Sequence, residues 1–277
     1  MAFYYIYKSL VDAPTFVDNV MNNTLQKNKS VKISEIRGPL VAVIIPCYNE
    51  AENIIQVIDD ICSTQPNDAI WQPIVVNDCS IDNTAEIVHN DQRAILLDLP
   101  CNLGVGAAVQ TGFKYAVKHN FDYAVKFDGD GQHRAVALIE LLKPLQNNVV
   151  DMTIGSRFVN PETGGFQSTM IRRVGIRWLR LMVYVFTGYR ASDPTSGLRA
   201  YSKNALNFAM HYYPSFDYPE PEEIILMRRN GFTIADIYTT MNERQGGVSS
   251  ISSLKSIYYM LKVSFAMLMI ATRPKEK

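Results

Sequence analysis

From Leu40 to Ile154 the chain alternates short apolar runs with stretches of helical periodicity, and this alternation narrows the fold more than any other feature. Leu40–Ile45 is an unbroken run rich in Val and Ile, as expected for a strand buried on both faces, and Pro46 reads as its stop. Asn49 followed by Glu52 has capping-box spacing, and Ile54, Ile55, Ile58 and Ile61 then recur at helical intervals. Ile74–Val76 reads as a second strand, after which Asn83 with Glu86 repeats the capping signal. Ala94–Leu97 is a third strand, Gly104–Lys118 an Ala-rich helix, Tyr123–Phe127 a fourth strand, Val136–Leu145 a helix and Val149–Ile154 a strand. Strands alternating with helices imply a parallel sheet covered on both faces. In such sheets ligands bind beyond the carboxyl ends of the strands, where the polar clusters Tyr48/Glu50, Asp78, Asn102/Gly104 and Asp128/Asp130 all fall.

The second half is less regular. Arg172–Phe186 suits a helix, Leu198–Tyr201 a short strand, Glu222–Asn230 a helix ended by Gly231, Thr233–Tyr238 a strand and Leu254–Ala271 a helix. Residues 1–38 read as an N-terminal extension packed on the main domain or a neighbouring subunit. The domain then spans 39–245, with a nucleotide-binding half at 39–133 and an acceptor half at 134–245, and 246–277 forms an amphipathic C-terminal helix.

The 277 residues carry 27 Lys+Arg against 27 Asp+Glu, which argues against nucleic-acid binding driven by counterion release. Four cysteines without CxxC spacing read as free thiols in a reducing compartment. No stretch approaches the ~20 apolar residues needed to span a bilayer. The expected location is therefore cytoplasmic, free or lying on the cytoplasmic face of a membrane.

The chemistry centres on Asp128-Gly129-Asp130-Gly131-Gln132-His133 after the fourth strand. Two carboxylates separated by a small residue can converge on one hard cation, Mg²⁺ or Mn²⁺, which takes oxygen ligands and keeps substrate phosphates among them. Glycines let backbone approach those phosphates. Gln132 could add a carbonyl ligand, and His133 a ligand or a phosphate contact.

Three earlier blocks precede this motif in order: Val43-Ile44-Ile45-Pro46-Cys47-Tyr48-Asn49-Glu50, Val75-Val76-Asn77-Asp78-Cys79-Ser80, and Asn102-Leu103-Gly104-Val105-Gly106. Together they resemble the family 2 glycosyltransferases, which have the GT-A fold, a Rossmann-like, mostly parallel α/β sheet. The similarity runs from about Val41 to Ser250. With Gly155-Ser156-Arg157, it is nearest the branch containing dolichol-phosphate mannose synthase and its bacterial relatives. The resemblance implies that Pro46, Tyr48 and Glu50 line the nucleoside pocket and that Asp78 hydrogen-bonds the base, with Asn102 and Gly104 beside them. Asp128 would contact the ribose or sugar, and Asp130, Asp128 and Gln132 would hold the metal on the diphosphate. Two departures bear on base preference: Asn77 stands where the family often has Asp, and Cys79 where Gly is usual.

If the acceptor is a hydroxyl, a carboxylate should take its proton. Glu220, in Tyr218-Pro219-Glu220-Pro221-Glu222-Glu223, falls at the family's base position when Gly231 sets the register, and Asp193 is the second candidate. Arg157, Arg173 and Arg244 fall near cations that the polyprenyl-phosphate branch uses to hold phosphate, with Arg244 also near the donor. The expected activity is metal-dependent, inverting transfer from a UDP-, GDP- or dTDP-sugar to a lipid-linked saccharide or polysaccharide. Polyprenyl phosphate is the alternative acceptor. Leu254–Ala271 has two readings, as a membrane-interface helix or as one packed on the domain or a dimer partner. A nucleotidyltransferase lacks support because no Gly-rich basic loop follows the first strand, and a binding protein with a decayed site because both acids are intact.

Overall fold

The computed structural model describes residues 38–158, 170–214, 218–240 and 253–275; side chains are described from 174 in the helix that begins at 170 and from 260 in the one that begins at 253. The N-terminal extension, but for Gly38, lies outside these residues.

The elements run β1 (Leu40–Cys47), α1 (Ile54–Thr64), β2 (Ile70–Asn77), α2 (Thr84–Asp91), β3 (Ile95–Asp98), α3 (Val105–Lys118), β4 (Tyr123–Lys126), α4 (Ala137–Gln146), β5 (Met152–Ser156), α5 (Met170–Thr187), β6 (Arg199–Ser202), α6 (Lys203–Tyr212), α7 (Glu220–Arg229), β7 (Ile234–Tyr238) and α8 (Ser253–Thr272). The strands form one sheet in the order β3-β2-β1-β4-β6-β5-β7. β1 to β4 are parallel, β5 and β7 are parallel, and β6 runs antiparallel to both β4 and β5. The expected α/β, mostly parallel architecture is therefore present, with one reversed strand that residue patterns could not reveal.

Alternation along β1 builds both core layers. Ala42 and Ile44 face a layer shared with α3, α5, α6, α7 and α8, whereas Val41, Val43 and Ile45 face α1, α2 and α4. Burial on both faces explains why β1 reads as a continuous apolar run.

Three local expectations need correction. β1 continues through Pro46 to Cys47, because pairing with β4 ends at Ile44 and beyond it only β2 lies alongside; a strand with one free edge tolerates proline. Asn49 does not cap a helix. It sits at φ 57°, its Oδ1 accepts from the Ile81 amide at 2.9 Å, and α1 begins at Ile54 behind Asn53. Asn83 does hold the cap position of α2, but the side chain that bonds there is Asp82, whose Oδ1 accepts from the Thr84 amide at 3.0 Å. One helix escaped the sequence reading: α6, opened by Ser202, whose hydroxyl accepts from the Ala205 amide at 3.3 Å.

Candidate active site

Four parallel strands end side by side, and their exit loops form one rim. The loop after β1 is laced to the loop after β2: the Asn49 amide donates to Ser80 Oγ at 2.9 Å, the Glu50 amide to Thr84 Oγ1 at 3.0 Å and the Ala51 amide to Asp82 Oδ2 at 3.2 Å. Tyr48 is exposed, and Pro46 and Glu50 are partly buried. Asp78, buried after β2, accepts from the Leu103 amide at 2.7 Å and the Gly104 amide at 2.8 Å, while Asn102 Nδ2 donates to the Asp78 carbonyl at 3.2 Å. Asp78 thus fastens the post-β3 loop to the end of β2. Burial raises its carboxyl above the usual range, against the pull of those two amides.

The two departures noted in this block have physical settings. Asn77 Nδ2 donates to Asp98 Oδ1 at 2.7 Å, and its Oδ1 accepts from Ser80 Oγ. Asp98 already supplies a carboxylate here, so an amide fits at position 77 and a second acid does not. Asn77→Asp should therefore lower stability by about 1 kcal/mol at neutral pH, with the loss shrinking as acid protonates the pair, measurable as melting temperature against pH. Cys79 lies at φ 58°, the left-handed region that explains glycine's frequency at this place in the family.

The acidic motif follows β4. A Cβ on Gly129 would come within 3.0 Å of Cys47 Sγ, so this glycine serves packing against β1. Gly131, at φ 70°, has nothing within 4 Å of its Cβ direction and leaves the loop bare on its outer side. The Gln132 amide donates to Asp130 Oδ1 at 3.1 Å, and the side chains of Asp130 and Asp128 are both partly exposed. His133 is buried, with Nε2 3.9 Å from Asp128 Oδ2, and burial lowers its pKa.

β6 runs the opposite way, so its entry loop rather than its exit reaches this rim. Gly197 in that loop lies directly under Asp128: a Cβ there would be 2.4 Å from Asp128 Oδ2. Asp193, fully buried in the same loop, takes Arg157 Nε and Nη2 on its Oδ2, both at 2.8 Å, and Thr195 Oγ1 on its Oδ1 at 2.9 Å. Arg157 extends from the exit of β5. Its guanidinium lies 5.4 Å from the Phe158 ring centre, and Arg180 of α5 lies 5.1 Å from the same ring. Arg180 also donates to the Ser192 carbonyl.

Beneath the rim lies a pair of ion bridges that the sequence reading missed. Lys126 of β4 and Arg199 of β6 are register partners on adjacent strands, 1% and 0% exposed. Lys126 Nζ donates to Glu220 Oε1 at 2.5 Å, and Arg199 Nη1 to Glu223 Oε2 at 2.8 Å. Residues three apart on a helix rise about 4.5 Å, close to the ~4.8 Å between neighbouring strands, so the first turn of α7 matches both cations at once. Burial pushes the Glu220 carboxyl up, but Lys126 and Arg199 outweigh it and hold the group below its ordinary value. For Glu223 burial prevails and the carboxyl is raised despite Arg199. Glu222 is buried on the same turn. A charged residue inside an otherwise apolar strand was the available signal, since a buried charge requires a partner.

The rim therefore gathers Pro46, Tyr48, Glu50, Asp78, Asn102, Gly104, Asp128, Asp130, Gln132, Arg157 and Asp193, with Glu220 below it. Arg244 lies outside the described residues, and of Arg173 only the backbone within α5 is described. Among the described residues no cluster of three His, Cys, Asp or Glu could hold a metal ion unaided.

The model of glycosyl transferase family 2 matches residues 42–209, more than half of the chain. A UDP-N-acetylglucosamine–dolichyl-phosphate N-acetylglucosaminyltransferase of Methanococcus voltae is 29% identical, covering 72% of this chain and 84% of that protein. A polyprenol monophosphomannose synthase of Mycolicibacterium smegmatis is 27% identical, covering 80% of this chain and 84% of that protein. Glucosyl-3-phosphoglycerate synthase of Mycobacterium tuberculosis, solved with Mn²⁺, UDP and glucosyl-3-phosphoglycerate, superposes with a TM-score of 0.63 at 19% identity, covering 88% of this chain and 85% of that one. Domain, rim and relatives agree: the chain belongs to glycosyl transferase family 2 and is a glycosyltransferase of GT-A type.

Proposed function

We propose that this glycosyltransferase moves a sugar, with inversion, from a nucleoside diphosphate held over the β3-β2-β1-β4 rim onto the phosphate of a polyprenyl monophosphate. The observation that carries this reading is the bridge between Glu220 and buried Lys126. The carboxylate at the base position is a held anion with a lowered pKa, ill suited to removing a proton from a hydroxyl. Asp193, the second candidate, is buried and bound to Arg157 and Thr195, which makes it a positioning residue. A phosphate acceptor is already anionic and needs no base. Its oxygen attacks the anomeric carbon, the bond from that carbon to the donor diphosphate breaks, and the nucleoside diphosphate departs with the electron pair.

The named relatives from M. voltae and M. smegmatis support a polyprenyl-phosphate acceptor over the hydroxyl acceptor expected first. Arg157 and Arg180, flanking Phe158 beside the rim, would hold the incoming phosphate. Tyr48, Glu50 and the loop fastened by Asp78 would position the nucleoside.

The Asp128–His133 loop fits a divalent cation of the kind the M. tuberculosis enzyme holds as Mn²⁺. Two partly exposed carboxylates on a loop left bare at Gly131 leave room for substrate phosphates to complete the shell. Asp130 and Asp128 would hold that ion, with Gln132 beside them. When bound, it supplies charge neutralisation at the departing diphosphate.

Substituting Glu220→Gln separates the acceptors. With a short-chain prenyl phosphate and a panel of UDP-, GDP- and dTDP-sugars, turnover per folded enzyme should remain within about threefold of the parent, because general-base catalysis, worth ~100-fold or more, is not in use. A loss of that larger size would restore the hydroxyl acceptor and sink the phosphate reading.

A further inference from the structure

The acidic loop leads straight into α4, whose cap position is held by Val136 and has no side-chain bond of its own. A helical turn already begins ahead of it: the Ala137 amide donates to the Arg134 carbonyl at 3.0 Å and the Leu138 amide to the Ala135 carbonyl at 2.9 Å. The Ala135 amide is one of those that a helix start leaves without a carbonyl behind it, and Ala135 is fully buried, so an acceptor must come from elsewhere. It comes from α1, 75 residues away, where Asp60 Oδ2 accepts from the Ala135 amide at 2.6 Å. Asp60 Oδ1 lies 3.5 Å from Arg134 Nε. One carboxylate thus grips both residues that follow His133, and a negative group suits the start of a helix.

α1 is tied in turn to the opposite side of the rim. The Glu50 carbonyl accepts from the Asn53 and Ile54 amides, each at 3.0 Å, and Glu50 Oε2 accepts from Asn53 Nδ2 at 3.0 Å. Asn53, Gln56, Asp60 and Ser63 recur at helical intervals and line a cavity of about 300 Å³, with Asp130 and Gly131 on its other wall. The loop therefore meets α1 across open space rather than across packed side chains. Its start is seated by Gly129 against Cys47, and its end by Asp60. Asp59 lines the same cavity but pairs with Arg93, whose Nη1 lies 2.6 Å from Asp59 Oδ1.

We infer that Asp60 is a positioning residue for the cation-holding loop: by fixing the Ala135 amide from α1, it sets how tightly Asp128 and Asp130 retain a divalent cation beside the donor diphosphate. The inference rests on the proposed role of those two acids and is independent of the acceptor.

The test reads Mn²⁺ binding directly, from the loss of the free ion's electron paramagnetic resonance signal, on the whole chain with UDP, GDP or dTDP in excess and no acceptor. Asp60→Ala should weaken Mn²⁺ binding at least about tenfold, the scale seen when a group that orients metal ligands is removed. Alanine suits a helix interior, so α1 persists. Asp60→Asn keeps an oxygen for the Ala135 amide and should stay within about threefold of the parent. Asp59→Ala removes only an exposed ion pair and should bind as the parent does. Melting curves check that each variant is folded at the assay temperature. If Asp60→Ala is not, Asp60→Glu takes its place, since one extra methylene displaces the amide and should weaken Mn²⁺ binding severalfold. Affinity equal to the parent in that variant overturns the inference. So does equal weakening in Asp60→Asn, which would make charge rather than the held amide the cause, or equal weakening in Asp59→Ala. Asp130→Asn should abolish Mn²⁺ binding. If it does not, or if the parent takes up no Mn²⁺ with any of the three nucleotides, the role of the acids falls and the inference with it. If only the Asp60 variants behave as the parent, the role of the acids stands and this inference alone is lost.

Discussion

Gly197→Ala should lower transfer by about a hundredfold while leaving the melting temperature within a few degrees of the parent, the cost that the proposed role of Asp128 carries when such a group is displaced by roughly 1 Å. The added methyl carbon would fall 2.4 Å from Asp128 Oδ2 and 2.8 Å from Oδ1, so the carboxylate must move. Gly197 lies outside the left-handed region, so alanine carries little conformational penalty there and the damage stays at the carboxylate. Steady-state kinetics with saturating donor reads the effect in kcat, and circular dichroism confirms that the fold persists. Activity equal to the parent would mean that the position of Asp128 against the β6 entry loop is irrelevant to transfer.

Arg199→Met should destabilise the domain by about 3–5 kcal/mol, because it abandons the Glu223 carboxylate in the interior. For a chain of this size that corresponds to a fall of roughly 5–10 °C in melting temperature. Arg199 is fully buried and also donates to the Ser196 carbonyl at 2.9 Å and the Pro194 carbonyl at 3.3 Å, so the loop ahead of β6 loosens with it. Adding Glu223→Gln should return a large part of the loss, since the neutral amide costs far less to bury than an unpaired anion. Additive losses in the double variant would show that the two side chains do not act as a pair.

Much of the rim was legible because its signals are local. Apolar runs such as Leu40–Ile45 and the turn-rich blocks behind them lie close together in sequence, and strand ends place them on one rim without further information. What could not be read depends on distance along the chain. Lys126 and Glu220 are 94 residues apart, and only folding reveals that the apparent base is held by a buried cation. Asn49 looked like a helix cap because its type and spacing suit one, yet Ile81, 32 residues on, claims its side-chain oxygen. The direction of β6 and the presence of α6 were hidden for a different reason: short segments with three or four core residues satisfy several patterns equally well.

The reversal of β6 has an evolutionary corollary. Because that strand enters where its neighbours leave, residues 193–197 reach Asp128 although they lie outside the loops that follow the four parallel strands. The segment just ahead of β6 and the acidic motif after β4 must therefore change together during divergence, and chimaeras joined between them should stay active only when both parents leave the Asp128 carboxylate the same space.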